Sequence, residues 1–251
     1  MIFRTKISIS SGLLIIKSII SKLFYYVYPS ICPICSRMID RRFCLCAFCW
    51  SKINFISSAT QNLENIDNII NEKPLELLRQ DLRLIPIRSV VVYCDISCVL
   101  VRLLKYHDRT DLAIMMAQWM FRVGKELVMD SDLIVAIPLH RFRLIYRRYN
   151  QSAELARLIS QYGKKTFVPG ILVRSRFTRQ QVELSLSARK RNLHNAFHVP
   201  QYAQKYIAGF KILLIDDVYT TGATAQYAAI ALKKAGAKSI SILTFSRSLK
   251  N

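Results

Sequence analysis

Glycine and proline are scarce, with seven of each in 251 residues, and 16 acidic residues face 37 lysines and arginines. So little glycine and proline excludes collagen-like repeats and low-complexity disorder, while a hydrophobic fraction of 52% suffices for a full core. A long uncharged apolar run is also missing, since the most apolar stretch, Leu13 to Tyr28, is broken by Lys17 and Lys22. A spanning helix needs about 20 nearly uncharged residues. Leu13, Ile16, Ile20, Leu23 and Val27 share one helical face while Lys17, Ser18, Ser21 and Lys22 share the other, so an amphipathic helix without stable membrane insertion is expected within 1–28. No small-residue cleavage pattern follows, and a cytoplasmic location is expected.

The shortage of acid leaves a formal charge of +21. Such a surplus draws phosphate-rich partners at long range, whether nucleotide, nucleic acid or anionic lipid, and salt weakens the attraction.

Five of the seven cysteines fall within eighteen residues, as Cys32, Cys35, Cys44, Cys46 and Cys49. Cys32-Pro-Ile-Cys35 and Cys46-Ala-Phe-Cys49 are two C-x-x-C pairs separated by ten residues. Four thiolates suit tetrahedral Zn²⁺ with no open position, which predicts a structural site that folds a piece too small to hold itself. Cys44 is a surplus residue that can substitute for Cys46, although the x-x spacing favours Cys46 with Cys49, and Cys94 and Cys98 read as small core residues. The expected units are a zinc-ribbon-like module at 29–53 and a connector at 54–88, with Pro74 and Pro86 as breakers and a short helix near 74–84.

From Val90 onward, β-branched runs alternate with longer helical ones. Strands are predicted at Val90–Cys94, Leu133–Ile137, Gly170–Val173, Ile212–Ile215 and Ser239–Thr244. Helices are predicted at Ile96–Tyr106, Leu112–Leu127, Gln151–Gln161 and Ala223–Ala235. This alternation implies an α/β domain over 89–251, a parallel sheet flanked by helices.

Ile212 to Ile215 reads as a strand buried on both sides that ends in Asp216 and Asp217, where ligands of an open α/β sheet bind. Thr220, Thr221, Gly222, Ala223 and Thr224 then lead into a helix, so amides, hydroxyls and a helix dipole converge as an anion site requires. Carboxylates that accept from a diol, beside a phosphate cradle, describe ribose 5-phosphate. Basic clusters follow two strand ends: Arg141, Arg143, Arg147 and Arg148, then Arg174, Arg176, Arg179, Arg189, Lys190 and Arg191. Guanidinium forks match pyrophosphate oxygens in pairs. Phe142, Tyr146, Tyr149 and Phe177, interleaved with these, are core residues or platforms for stacking bases. His107, His140, His194 and His198 are scattered and read as structural.

The segment Ile212–Thr224 resembles the signature of type I phosphoribosyltransferases, and with the cysteine pairs the chain resembles the ComF family of competence-associated proteins. Leu104-Lys105-Tyr106, Val135-Ala136-Ile137-Pro138-Leu139-His140 and Arg147-Arg148-Tyr149-Asn150-Gln151-Ser152 are similar to further family segments. Thr178, Gln181, Leu184, Ser185, Arg189, Asn192, Ala196 and Phe197 fall at the spacing of its mobile loop. The resemblance implies phosphoribosyl pyrophosphate as ligand, Mg²⁺ arriving with it, and glycosyl transfer or, alternatively, sensing without turnover. By it, Asp216 and Asp217 are catalytic, and the turn from Thr220 to Thr224 binds the ligand with Arg147, Asn150, Gln151, Arg176, Gln181 and Arg189. It also implies DNA uptake in natural transformation, with single-stranded DNA and uptake proteins as partners. Three residues depart from the family pattern: Ala136 replaces a proline, and Arg148 and Glu183 replace glycines.

Overall fold

A computed structural model of the protein describes residues 30–56, 61–62, 84–106, 109, 111–175 and 196–248. The expectations for Leu13–Tyr28, for the short helix near 74–84 and for Arg176, Gln181 and Arg189 lie outside the described residues. The chain divides into two compact units, Met1–Lys52 and Ile53–Asn251.

In the first unit, Cys32 begins a tight knuckle in which its amide donates to Arg37 O at 2.8 Å and its carbonyl accepts from Ser36 N at 2.9 Å. An isolated bridge joins Ile31 to Met38 across this turn. Helix α1 (Ala47–Ser51) closes the unit, capped by the Cys46 sulfur, which accepts from Cys49 N at 3.4 Å.

The second unit contains β1 (Gln61–Asn62), β2 (Pro86–Val92), α2 (Asp95–Tyr106), α3 (Asp111–Asp130), β3 (Leu133–Ala136), α4 (Arg141–Arg147) and α5 (Gln151–Gly163). It continues with β4 (Thr166–Phe167), β5 (Val173–Arg174), β6 (Phe197–His198), α6 (Gln201–Gln204), β7 (Lys211–Tyr219), α7 (Ala223–Lys234) and β8 (Ser239–Arg247). The main sheet has the order β1-β2-β8-β7-β3-β4. Only the β1–β2 pairing is antiparallel, so five strands run parallel.

Helices cover both faces. Alternate residues of β7, Ile212 and Leu214, join α7 in one apolar cluster, whereas Trp119 of α3 stacks on Phe245 of β8 with centroids 6.1 Å apart. Ile212 through Ile215 are all buried, and each such side chain contributes roughly 1.5–3 kcal/mol relative to exposure. An uninterrupted apolar run is what a strand covered on both faces requires.

The elements differ from the sequence pattern in several places. β2 starts at Pro86, a residue taken above as a breaker, because proline is tolerated as the first residue of a strand. The strand expected at Gly170–Val173 begins only at Val173 and forms a separate antiparallel pair with β6, because Gly170 sits in a turn with φ 74°. Thr166–Phe167 takes the parallel edge position instead. Finally, α4 buries none of its residues and so carries no apolar periodicity to betray it.

β3 and β7 are neighbours, yet the chain leaves β3 toward β4 and leaves β7 toward β8, on opposite sides. The carboxyl ends of β3 and β7 therefore form the topological switch point, where the crossovers diverge and open a crevice.

Candidate functional site

Three helix N-termini meet this crevice. α4 starts after β3 with His140 as its cap, whose Nδ1 accepts from Phe142 N at 3.4 Å. α5 starts at Asn150, whose Oδ1 accepts from Ser152 N at 3.1 Å and whose Nδ2 donates to Ile137 O at 3.0 Å, tying the helix to the end of β3. A cap of this kind contributes about 1 kcal/mol. Gln151, behind it, is buried. α7 starts at Gly222, with Thr221 Oγ1 accepting from Ala223 N at 3.5 Å.

Gly222 is required twice. Its φ of 76° is left-handed, and a Cβ there would lie 2.6 Å from Tyr219 Cζ. The turn thus folds back on the Tyr219 ring, whose face also meets the Arg247 guanidinium 5.1 Å from the centroid. Thr220 is exposed, Thr221 and Thr224 are half-buried, and Ala223 is buried.

The two carboxylates lie inside β7 rather than after it, which corrects the strand end expected at Ile215. β7 continues because its ladder with β8 continues, with Asp216 opposite Thr244 and Val218 opposite Ser246. Asp216 Oδ1 accepts from Ser152 Oγ at 2.9 Å and from Asp217 N at 2.9 Å. Asp217 Oδ2 pairs with Lys105 Nζ at 2.9 Å. Burial first, and then the Asp217 charge, pushes the Asp216 carboxyl up to about 7, against the opposing pull of Ser152 and Lys105.

Opposite the acids is a basic basin. Arg147 donates to Gln151 Oε1 at 3.3 Å and to Tyr106 Oη at 3.1 Å, and lies over the Tyr106 ring. Burial and the neighbouring Arg143 bring Arg174 down to about 10, with Asp216 opposing. Burial and Arg147 likewise lower Arg143. His140 is lowered by burial and by Arg141, Arg174 and Arg143. Desolvated like charges in one another's field are stabilised by an incoming anion.

Arg148, at the position where the family carries glycine, has φ 63° as the C-cap of α4. A side chain in that region costs roughly 1–2 kcal/mol. Tyr149 is no loop platform, because its hydroxyl donates to Leu104 O. Phe142 and Tyr146, by contrast, are exposed, so neither is core.

Asp216, Asp217, Arg147, Asn150, Gln151 and the turn 220–224, the candidates of the sequence pattern, all lie at this end of the sheet. Arg143 and Arg174, which the sequence offers as pyrophosphate donors, lie here too, whereas Lys105 and Ser152 have no site role in the sequence pattern. The segments containing Lys105 and Ser152 belong to the family resemblance, but nothing in the one-dimensional order joins them to β7.

In the first unit, the Sγ atoms of Cys32, Cys35, Cys46 and Cys49 all lie within 4.8 Å of one another, close enough to hold a metal ion. Four thiolates at about 2.3 Å from one ion would stand roughly 3.8 Å apart, so the cluster fits a tetrahedral ion. Burial opposes ionisation of Cys32, but hydrogen bonds from the Cys46, Cys35 and Ile34 amides and the Cys35 thiol outweigh it and bring the thiol down to about 6. Burial and the Cys35, Cys46 and Cys32 thiols hold Cys49 above its ordinary value. Cys44 stands outside the cluster and donates to Arg41 O at 3.0 Å. Cys94 and Cys98, expected in the core, are half-buried, and Cys98 pairs with Tyr93 Oη at 3.2 Å.

No protein-family profile matches the chain. The DNA utilization protein YhgH of Salmonella typhimurium is 29% identical over 227 residues, 87% of this chain and 91% of that protein. Competence protein F of Haemophilus influenzae is 31% identical over 116 residues, 46% of this chain and 50% of its own length. The DNA utilization protein YhgH of Escherichia coli K12 is 30% identical over 169 residues, and the match covers 64% of this chain and 71% of that relative. The chain belongs to the ComF family.

Among solved structures, the allosteric regulatory enzyme of purine biosynthesis overlaps 57% of this ComF protein at 16% identity with a TM-score of 0.38. The glutamine phosphoribosylpyrophosphate amidotransferase of B. subtilis, complexed with ADP and GMP, overlaps 56% at 17% identity with a TM-score of 0.35. The ComF chain spans 29% and 30% of their lengths, and the fold described above rests on its own strand order. Among the described residues, no helix is long and apolar enough to cross a membrane.

The raised Asp216 carboxyl makes a pH prediction. Its folded pKa lies above the ordinary value of about 4, so stability is retained at low pH and lost as pH rises toward 7. Asp216→Asn keeps the acceptor for Ser152 and removes the charge. It should raise the melting temperature by a few degrees at about pH 8, and the gain should shrink toward about pH 4. A gain independent of pH in scanning calorimetry would contradict this.

Proposed function

We propose that this ComF protein binds phosphoribosyl pyrophosphate at the switch point and transfers its phosphoribosyl group in the cytoplasm, in support of DNA utilization. One observation carries the reading: the paired acids of β7 run directly into the amide-and-hydroxyl turn 220–224, and the buried Arg174 feels both the Asp216 charge and that of Arg143 from the helix after β3. The turn would take the 5-phosphate, the acids the ribose diol, and Arg143, Arg147 and Arg174 the pyrophosphate. Arg176, Gln181 and Arg189, outside the described residues, would be further donors to the pyrophosphate by the family resemblance.

In the transfer, the acceptor's electron pair forms a bond to the anomeric carbon while the carbon–oxygen bond to pyrophosphate breaks and its electrons leave with pyrophosphate. Positioning and charge stabilisation suffice for such an oxocarbenium-like path. Mg²⁺, when bound, would neutralise charge on the leaving pyrophosphate. DNA utilization enters from the names of the relatives.

A second reading, binding of single-stranded DNA, is favoured by one feature. Helix α4 exposes Phe142, Ile145 and Tyr146 among Arg141, Arg143, Arg147 and Arg148, which combines stacking surfaces with phosphate partners. The cysteine cluster would hold structural Zn²⁺, since four thiolates leave no open position.

Calorimetric titration with phosphoribosyl pyrophosphate and Mg²⁺ should give saturable binding, weakened about tenfold or more by Asp217→Asn. No heat of binding to the wild type would refute the first reading. If α4 receives DNA, affinity for oligothymidine should fall steeply with salt and drop on Tyr146→Ala, whereas a flat salt dependence speaks against it. Elemental analysis should find about one zinc per chain, lost in Cys49→Ser together with folding of the first unit. Protein purified without chelator and free of zinc would exclude the metal assignment.

A further inference from the structure

Lys105 lies one residue before the end of α2, and its ammonium sits 2.9 Å from Asp217 Oδ2 with 19% and 11% of the two side chains exposed. A cation this far removed from water is held there by its carboxylate, and the carboxylate by its cation. Asp216 is engaged as well, through Ser152 Oγ and the Asp217 amide. A Mg²⁺ ion bound by protein carboxylates would need their oxygens at about 2.0–2.1 Å in near-octahedral array. On Asp217 it would meet Lys105 as a like charge across one carboxylate. The acidic pair therefore does not fit a magnesium ligand set.

A metal is not required at this end on electrostatic grounds either. Two adjacent carboxylates would repel a sugar phosphate, but Lys105 cancels one of them. An ammonium has three donors and no acceptor, so beyond the bond to Asp217 it can donate to hydroxyl oxygens of a diol whose protons go to the carboxylates. Such an arrangement supplies what a divalent cation supplies in a carboxylate–diol site, and it is part of the chain.

We infer that Lys105 takes the place of a divalent cation at the sugar end of the site, so that ribose 5-phosphate binds without metal and only ligands bearing a pyrophosphate call for Mg²⁺. The inference rests on the sugar-phosphate reading above and narrows it. Lys105 is thereby a ligand-positioning residue contributed by a helix that precedes β7 by more than a hundred residues.

The test is calorimetry of the full-length protein with ribose 5-phosphate, first in Mg²⁺-free buffer without chelator, so that the cysteine unit keeps its metal, and then with excess Mg²⁺. For the wild type, the two dissociation constants should agree within about threefold. Lys105→Met, which keeps the bulk of the stem, should bind about tenfold or more weakly without Mg²⁺ and recover when Mg²⁺ is added. Should that variant unfold because Asp217 is left buried and unpaired, the double change Lys105→Met with Asp217→Asn removes both charges and should bind weakly and equally in the two buffers. Wild-type binding that demands Mg²⁺ overturns the inference and leaves the sugar-phosphate reading standing. So does Lys105→Met binding like wild type without Mg²⁺, or a loss that Mg²⁺ fails to restore. Ribose 5-phosphate that binds in neither buffer overturns the sugar-phosphate reading itself.

Discussion

β7 is paired in parallel with β3 on one edge and with β8 on the other, and helices cover both faces around it. That constraint leaves no surface of the strand for water until its carboxyl end. Apolar residues from Ile212 to Ile215 meet it, and the first polar side chains, Asp216 and Asp217, emerge where the crossovers diverge. The same ladder sets Thr244 beside Asp216, and the Thr244 hydroxyl pairs with Ser89 of β2 at 2.7 Å, so a buried polar pair joins β8 to β2 at the level of the acids. Had β7 been an edge strand, its acids would have been solvated and ordinary.

Burial makes those acids chemically specific. One is neutralised by Lys105, the other is driven toward protonation near neutral pH, and the arginines opposite are destabilised by one another. A site so charged favours a ligand with hydroxyls at one end and anionic oxygens at the other, because each end relieves a different local strain of charge. Gly222 completes the arrangement by letting the turn fold onto Tyr219.

The cysteine unit follows a different logic. Its described residues, 30–52, are too few to bury much apolar surface, and among them cohesion comes from two knuckles whose sulfurs converge. Thiols in such a cluster pull their neighbours' ionisation in opposite directions, as Cys32 and Cys49 do. A dication bound by all four as thiolates resolves that conflict.

Local chemistry could be read from the sequence alone. The apolar run before Asp216, the glycine in the following turn and the C-x-x-C spacing each depend on residues adjacent in the chain, and their physical demands are local. The parallel sheet also followed from alternating periodicities, although elements that are short, such as β4, or bury none of their residues, such as α4, left no periodic trace. Tertiary structure alone decided that Lys105 stands on Asp217, that Ser152 stands on Asp216, and that Arg174 shares a field with Arg143. Those pairings span 31 to 112 positions of chain, and only the order of strands and the placement of helix ends can bring such distant charges into one volume.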